Sequence, residues 1–398
     1  MQLIESLEIE LIVKPNITLF RFESRRRAQI VLLALIVVLL TTNPFRRVAA
    51  NAYYSSQILL SQPLTVKWRY VSDQTTSLTP ATDGARIYLP LAGGTVVALS
   101  VADGQLRWKS DSGGDLSASP AADDRCVYVA TEVNEVVEGQ NHAHGALRAL
   151  GKEAGVTLWM RTLQSPMRGA LVVGDKALFG GAIDGRVYAF DKRTGLTLWS
   201  SQYSAAFSSQ PLLSGTRLYI GSEDGALLAI DQADGRIVWR YRTRGPIRGP
   251  VAIANGIVYF GSGDGYAYAV REAGFDLLWR RRTGAGVQAV ATVDNGLMVA
   301  SLDNFVYLFS LNTGRHLWRR QLAGRIAAPP VTAPDGALFT PLSSDSAIVL
   351  SLRDGKPVNT LAIGEENSSA ASPISAADFV FVTTPHGLLA FSGSNVRP

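Results

Sequence analysis

The seven tryptophans of this chain recur at a nearly constant interval. Their separations are 40, 51, 40, 40, 40 and 39 residues, and they are Trp68, Trp108, Trp159, Trp199, Trp239, Trp279 and Trp318. A period near 40 residues is typical of repeat architectures, in which each unit packs against its neighbours. The period therefore assigns the tryptophans to packing between units rather than to a ligand.

Each repeat is predicted to form four short strands. In the fifth repeat, four apolar runs at 250–253, 256–260, 266–270 and the segment ending at Trp279 are separated by Gly, Asp and Asn turn residues. The Asp264-Gly265 pair between the second and third runs supplies the positive φ of a tight hairpin. The pattern predicts a four-stranded antiparallel meander.

Eight such units are present, and the last one is incomplete. Third strands are predicted at 95–99, 146–150, 186–190, 226–230, 266–270, 305–309, 347–350 and 388–391. The eighth unit ends at Pro398 before a fourth strand, whereas Trp68 lies in a strand-like segment that precedes the first unit. The sequence therefore predicts an all-β, eight-bladed β-propeller of four-stranded antiparallel blades over 64–398, in which the N-terminal strand closes the last blade.

The N-terminal region carries an apolar run at 30–40 between two groups of arginines, at 25–27 and 46–47. An uncleaved membrane helix over 28–45 is one interpretation, because its eighteen residues just span a bilayer. A cleaved signal peptide is the other, since Val48-Ala49-Ala50 resembles a cleavage pattern. The flanking arginines favour the membrane helix.

Both interpretations export the rest of the chain. Basic residues are more numerous before the apolar run than after it, which leaves the N-terminus in the cytoplasm. We therefore expect a cytoplasmic leader over 1–27, a single-pass anchor in the cell membrane over 28–45, a linker over 46–63 and a propeller on the extracytoplasmic (periplasmic or external) side.

Charge and cysteine content exclude several classes of protein. The net charge is +5, but residues 1–50 hold seven Lys and Arg against four Glu, which leaves +2 for the remainder. That balance is too weak for a nucleic-acid-binding surface. Cys126 is the only cysteine, so a disulfide framework and a multi-cysteine metal site are excluded.

The spacing Ala189, Gly195, Trp199 resembles the tryptophan-docking repeat of the quinoprotein (PQQ-repeat) propeller family. The same spacing occurs at Ala98/Gly104/Trp108, Ala149/Gly155/Trp159 and Ala229/Gly235/Trp239, with leucine first at Leu308/Gly314/Trp318. The resemblance implies that each indole lies on a glycine peptide of a neighbouring blade. The fifth repeat departs with Phe275 in place of glycine, and the seventh has Asn359 in place of tryptophan.

This family contains both enzymes and non-enzymatic scaffolds. The scaffold nearest in size is the BamB-like propeller of the outer-membrane barrel assembly machinery. The resemblance therefore specifies the fold and leaves both kinds of function open.

A ring of mostly polar residues is predicted where the innermost strands begin, nine residues after each tryptophan or after Asn359. Its members are Ser77, Ser117, Arg168, Ser208, Arg248, Gln288, Ala327 and Ser368. Arg168 and Arg248 are placed to clamp a carboxylate, and Ser117, Ser208 and Gln288 complete the candidate ligand site. The alternative is a water-filled channel whose arginines pair with nearby carbonyls or acids.

The ring also argues against an enzyme. Quinone chemistry assisted by calcium needs carboxylate ligands and a carboxylate base, and no Asp or Glu occupies a ring position. We expect no catalytic residues, no metal site and no cofactor. Pyrroloquinoline quinone (PQQ) with calcium remains the alternative.

An eleven-residue insertion in the second repeat explains the single 51-residue spacing. The predicted loop runs from Thr131 to His144, and its acidic and histidine residues are Glu132, Glu135, Glu138, His142 and His144. We interpret it as a partner-contact loop, with metal binding as the other possibility.

Arginines cluster after three consecutive tryptophans. The clusters are Arg240, Arg242, Arg244 and Arg248; Arg280, Arg281 and Arg282; and Arg319, Arg320 and Arg325. We expect Arg242, Arg244, Arg280, Arg281 and Arg282 to meet an acidic protein or anionic lipid headgroups. Replacing the three consecutive arginines is expected to weaken association without changing stability.

The sequence thus favours a non-enzymatic, exported propeller that acts as an interaction scaffold in a membrane or envelope complex. Its expected partners are membrane or envelope proteins, not nucleic acid, and its oligomeric state stays open. The alternative is a propeller that resembles the PQQ-dependent dehydrogenases or binds a small carboxylate.

Overall fold

The structure is a computed structural model that describes residues 58–137, 140–294 and 296–393. The predicted leader at 1–27, the predicted membrane helix at 28–45 and most of the linker lie outside these ranges. In the part of the chain that is described, no helix is long and apolar enough to cross a membrane.

The described chain forms eight antiparallel sheets, numbered here as blades 1 to 8. Blade 1 contains β2 (Ala81–Thr82), β3 (Arg86–Pro90), β4 (Thr95–Ser100) and β5 (Leu106–Asp111), and blade 2 contains β6 (Asp115–Leu116), β7 (Ala121–Ala122), β8 (Cys126–Val137), β9 (Gln140–Gly151) and β10 (Thr157–Leu163). Blade 3 contains β11 (Met167–Val173), β12 (Ala177–Ala182), β13 (Arg186–Asp191) and β14 (Thr197–Gln202). Blade 4 contains β15 (Leu212–Ser214), β16 (Arg217–Gly221), β17 (Ala226–Asp231) and β18 (Ile237–Arg242).

Blade 5 contains β19 (Ala252–Ala254), β20 (Ile257–Gly261), β21 (Tyr266–Arg271) and β22 (Leu277–Arg282), and blade 6 contains β23 (Val287–Val293), β24 (Gly296–Ser301), β25 (Phe305–Phe309) and β26 (His316–Gln321). Blade 7 contains β27 (Val331–Ala333), β28 (Gly336–Phe339), β29 (Ser346–Leu350) and β30 (Pro357–Ala362). Blade 8 contains β31 (Ile374–Ala376), β32 (Phe379–Thr384) and β33 (Gly387–Gly393) together with β1 (Leu64–Val71). The predicted eight-bladed propeller is confirmed.

The ring closes as predicted, because β1 is the outermost strand of blade 8. It pairs antiparallel with β33, from Leu64 opposite Gly393 to Val71 opposite Gly387. Blade 8 therefore joins the two ends of the described chain, and its β32–β33 pair is not left with an open edge.

Burial along a blade follows the position of each strand. In blade 5, four of the five residues of β20 and four of the six residues of β21 are buried, because these two strands are covered on both faces by adjacent blades. The outer strand β22 buries Trp279 and exposes most of its remaining side chains. The core is consequently a set of clusters between neighbouring blades.

Six of the seven indoles cover a glycine of the next blade. At Gly155, φ is +67°, and an added Cβ would lie 2.5 Å from the indole of Trp108. Glycines with φ between 63° and 74° take this place in six blades: Gly104, Gly155, Gly195, Gly235, Gly314 and Gly355. Only glycine provides both the left-handed backbone and the close approach of the ring.

Six indoles also donate a hydrogen bond to the next blade. The acceptor in each case is the carbonyl seven residues before the docking residue of that blade. The pairs are Trp68–Val101, Trp108–Lys152, Trp159–Lys192, Trp199–Gln232, Trp279–Leu311 and Trp318–Leu352, at 2.7 to 3.1 Å. Packing and polar contacts therefore fix each blade against its neighbour.

The departure at Phe275 keeps the backbone of the motif. Phe275 has φ 62°, close to the value of the docking glycines, although it is not glycine. Its ring stacks on Trp239 with centroids 5.4 Å apart and an interplanar angle of 24°. Aromatic stacking thus replaces the contact between indole and glycine peptide at this junction.

The departure at Asn359 marks the place where the N-terminal segment enters the ring. The Asn359 side-chain amide donates to the carbonyls of Leu60 at 2.9 Å and Gln62 at 2.6 Å. The Asp335 carboxylate accepts from the backbone N–H of Leu60 at 3.0 Å and of Ser61 at 2.8 Å. Leu60 itself is 0% exposed. Residues 58–63, called the strap below, therefore serve as the docking turn of blade 8.

The insertion in blade 2 continues two strands of the sheet. Strands β8 and β9 stay paired from Cys126 opposite Gly151 to Val137 opposite Gln140. The segment predicted as a loop is therefore an extended β-hairpin, in which the backbone groups of one strand pair with those of the other.

Candidate functional site

The ring residues only partly line the central channel. A cavity of about 400 Å³ at its mouth is bordered by Ser208, Arg248, Gln288 and Ala327 of the predicted ring. The other polar side chains at this cavity are Thr79, Ser119, Gln210 and Ser372. Each of these four lies two residues before the innermost strand of its blade and eleven or thirteen residues after a docking residue, so one position of the repeat does not account for the whole lining.

The remaining ring positions lie outside this lining. Ser117 is buried, and its hydroxyl finds no hydrogen-bond partner among the described residues. The Ser77 hydroxyl accepts a hydrogen bond from the Ala370 N–H at 3.3 Å, across the junction between blades 1 and 8. Arg168 and Ser368 are likewise not among the residues that border the cavity.

Arg248 is held by a glutamate of the turn between β16 and β17. Its Nε lies 3.0 Å from both carboxylate oxygens of Glu223, and its Nη2 lies 2.7 Å from Oε2. The Ser208 hydroxyl donates to the same carboxylate. These contacts hold the pKa of Glu223 below its ordinary value, with the Arg248 guanidinium as the largest cause.

Arg168 is held in the same way at the base of the extended hairpin. Its Nη2 lies 2.5 Å from Oε2 of Glu132. Both arginines of the predicted clamp are thus paired with glutamates, which is the arrangement of the alternative interpretation. A carboxylate from outside would have to displace these partners.

The sequence analysis allowed for pairing with acids but did not identify which acids bind these arginines. Glu132 and Glu223 lie 36 and 25 positions before the arginines that they bind. A weak signal was available, because both lie near turns between second and third strands, which meet the blade crossings on one face. Position in the repeat, rather than local sequence, brings the charges together.

The described lining does not fit a calcium-held quinone. The residues that border the cavity supply hydroxyl and amide groups and Arg248, and none of the described ones is Asp or Glu. Calcium prefers several oxygen ligands that include carboxylates. Across the described ranges, no cluster of three or more His, Cys, Asp or Glu side chains is placed to hold a metal ion.

The arginines of the predicted basic surface fall into two groups: some hydrogen-bond to backbone carbonyls of the next blade, and the others do not. Arg281 donates from Nε to the carbonyl of Gly314 at 2.7 Å and from Nη2 to that of Thr313 at 2.9 Å. Arg320 donates to the Gly355 carbonyl at 2.8 Å. Both follow a docking tryptophan by two residues and donate to a carbonyl of the next blade, as Arg161 does to the carbonyl of Gly195.

These hydrogen bonds correct the expectation that replacing the three consecutive arginines leaves stability unchanged. Replacing all of them would remove the Arg281 contacts with blade 6, so stability would change as well as surface charge. Strand alternation carried this information, since Arg281 lies on the same face as Trp279 whereas Arg280 and Arg282 lie on the opposite face.

The other arginines of the predicted partner surface differ in their contacts. Arg242 pairs with Asp224 at 2.9 Å. Arg244 is exposed, and its backbone N–H donates to Asp264 at 3.0 Å. Arg280 and Arg282 are exposed. The open charge of the predicted surface therefore centres on the outer strand of blade 5.

We expect Glu223→Gln to create an anion site at the channel mouth, because it leaves Arg248 without its carboxylate. Succinate at ten times its dissociation constant should stabilise the variant by about 1.4 kcal/mol, a rise in melting temperature of roughly 2 °C, and should not affect the parent protein. Thermal unfolding with and without succinate measures this. An equal rise in the parent would show that Arg248 is available despite Glu223.

The same variant has a pH signature. Because the folded-state pKa of Glu223 is lowered, its ion pair contributes stability at neutral pH that is lost as the pH falls through that lowered pKa. The parent should therefore lose more stability on acidification than Glu223→Gln does. Identical acid profiles would contradict a stabilising pair.

Several solved structures share this fold. BamB from Moraxella catarrhalis superposes with a TM-score of 0.70 at 17% identity, covering 84% of this chain and 99% of that one. The computationally designed Ika8 protein gives 0.70 at 14% identity, covering 85% and 99%. Quinohemoprotein alcohol dehydrogenase from Comamonas testosteroni gives 0.70 at 11% identity, covering 87% and 80%. At these identities the similarity shows the fold alone.

Sequence comparison gives a family. A search of curated proteins found no match. The family described as outer membrane protein assembly factor BamB matches residues 64–146, 143–248 and 243–395, which together span nearly the whole propeller. On this match, the chain belongs to the BamB family of PQQ-repeat β-propellers.

Proposed function

We propose that this chain is a non-enzymatic propeller that acts as a protein–protein interaction scaffold in an envelope assembly complex. The observation that carries the proposal is that both arginines of the predicted clamp are bound by glutamates, Arg248 at the channel mouth and Arg168 at the base of the extended hairpin. The described cavity lining also offers no carboxylate as a base or calcium ligand. Family membership, under the description of an assembly factor, supports the same role.

The proposal places the propeller outside the cytoplasm. Its support is the sequence at 25–47, where arginines flank an apolar run. Residues 28–45 then form a single-pass anchor in the cell membrane, and the partners are membrane or envelope proteins. We expect no cofactor for this role.

The extended hairpin is the proposed contact element of blade 2. Beyond the pair of Glu132 and Gly145, its strands are joined to each other and to no other described strand. Glu132 ties the base of the hairpin to Arg168 of blade 3. A paired, anchored projection of this kind presents a partner with a preformed surface at low entropic cost.

The test is extraction of tagged full-length protein in mild detergent, followed by mass spectrometry of what co-purifies. Replacing residues 134–143 with Asn-Gly closes the hairpin at the Val133–His144 pair with a two-residue turn. We expect the parent to bring down a stoichiometric set of envelope proteins and the shortened variant to lose most of it, with stability changed by less than about 1 kcal/mol.

Two results would count against these assignments. A solitary parent protein that gains stability with PQQ and calcium would overturn the scaffold role. Full co-purification with the shortened hairpin would keep that role and remove the hairpin from the contact. Arg107→Gln, at an exposed position on the outer strand of blade 1, serves as a surface control.

A further inference from the structure

The outer strand of blade 5 combines an open edge with charge that its surroundings leave uncompensated. Strand β22 is hydrogen-bonded to β21 on one side and is the last strand of its sheet. Arg280 and Arg282 are two residues apart and exposed, so they lie on one face of the strand. Within the described ranges, neither is in ion-pair contact with a carboxylate.

The adjacent blades extend this charge. Arg240 in blade 4 and Arg319 in blade 6 occupy the position of Arg280, directly after the docking tryptophan, and both are exposed. The strands β18, β22 and β26 contain no Asp or Glu. Three successive outer strands therefore carry cations alone.

Protection of an edge strand against aggregation does not explain this charge by itself. The outer strands of blade 3 (TLWSSQ) and blade 7 (PVNTLA) end their sheets in the same way and contain no charged residue. If bare edges required arginine, these strands would carry it as well. The exposed cations are therefore not a general feature of free edges. They recur on three successive blades, 4 to 6, and the other outer strand with two exposed cations and no acid is β1 of blade 8, which carries Lys67 and Arg69.

Two of the open arginines are held in place by aromatic rings. The Arg280 guanidinium lies 5.1 Å from the ring centroid of Tyr266, and that of Arg319 lies 5.3 Å from the centroid of Phe305. A cation–π contact orients a guanidinium without neutralising it, and the N–H donors remain available. Less side-chain entropy is then lost when a carboxylate binds.

We propose that β22 is a docking edge for an extended, acidic segment of a partner protein, which adds to blade 5 as a fifth strand. This deepens the proposed scaffold function and rests on it. Backbone N–H and C=O groups of the free edge pair with the incoming strand. Side chains at alternate positions of that strand then lie about 5 Å from Arg280 and Arg282, so a segment with Asp or Glu at every second residue is complementary.

The experiment uses the full-length protein in detergent and a fluorescent octapeptide of alternating Glu with Val or Thr. Fluorescence anisotropy should show saturable binding that weakens about tenfold in Arg280→Gln/Arg282→Gln. Arg107→Gln/Lys109→Gln removes the same charge from the outer strand of blade 1 and should change the affinity less than about twofold. Bound peptide should also slow amide exchange in β22.

Arg281→Gln separates docking from folding. Since Arg281 binds carbonyls of blade 6, this variant should lower the melting temperature and leave peptide affinity unchanged. The double variant of Arg280 and Arg282 should behave in the opposite way. Equal effects of the two variants on affinity would overturn the assignment of the open face.

Other outcomes would also overturn the inference. Unchanged affinity in the double variant, or equal weakening in the blade 1 control, would exclude β22 as a specific edge. Arginine-dependent binding to phosphatidylglycerol vesicles, without peptide binding, would replace the acidic strand with a lipid surface. If the double variant still co-purifies envelope proteins, β22 is not their contact, although the scaffold function stands. If the protein binds the peptide but co-purifies with no envelope protein, the docking edge stands and the scaffold function does not.

Discussion

Trp279→Ala should lower the free energy of unfolding by about 3–5 kcal/mol, the cost of removing a buried large aromatic side chain. Trp279 is 5% exposed, and its indole donates to the Leu311 carbonyl at 2.7 Å. The ring also covers Gly314, where an added Cβ would lie 2.6 Å from it. Truncation therefore removes packing at the junction of blades 5 and 6 and the shorter of the two hydrogen bonds to the Leu311 carbonyl, which also accepts from the Tyr259 hydroxyl at 3.3 Å.

Denaturant unfolding followed by circular dichroism measures this loss. Trp199→Ala is the matched comparison, since Trp199 makes the same bond to the Gln232 carbonyl but is only half-buried. We expect a smaller loss there, because less apolar surface leaves water on folding. A loss below about 1 kcal/mol at Trp279 would show that docking does not hold the blades together.

The contrast between these tryptophans shows what a repeat predicts. The spacing of alanine, glycine and tryptophan identifies the ring of blades, since every unit must solve the same packing problem. Exposure of one indole depends on side chains of the next blade that the period does not specify. Trp199 and Trp279 are therefore equivalent in the sequence and different in the structure.

The candidate site was harder to predict for the same reason. The repeat places Arg168 at the start of blade 3 and Arg248 just before the first strand of blade 5, but Glu132 lies in strand β8 of the inserted hairpin and Glu223 in a turn, and neither glutamate is part of the docking spacing. Residues of insertions and turns are not restrained by the docking motif. Charge pairing with such residues becomes visible only when the fold is known.

Asn359 shows the opposite case, in which a departure from the repeat carries information. Each docking glycine lies four residues before the docking residue of its own blade, as Gly314 does before Trp318. For blade 8 that residue is Trp68, and the position four residues earlier is Leu64. An indole from blade 7 would therefore meet a leucine side chain, whereas the shorter Asn359 reaches the strap carbonyls on either side of Ser61.

Restoring the repeat at this position should thus harm the protein. We expect Asn359→Ala to cost about 1–2 kcal/mol, because the carbonyls of Leu60 and Gln62 lose their donor. Asn359→Trp should cost at least as much, since the indole cannot settle over Leu64 and displaces the strap. Exchange of the β1 amides should accelerate in both variants, because the strap leads directly into the strand that closes the ring.

Thr360→Ala is the control, since Thr360 is an exposed residue of the same strand. It should leave both the unfolding free energy and the exchange of β1 nearly unchanged. A more stable Asn359→Trp protein would mean that the strap provides an indole platform after all. Blade 7 would then differ from its neighbours by chance rather than because β1 arrives from the other end of the chain and brings a leucine where the other junctions have glycine or Phe275.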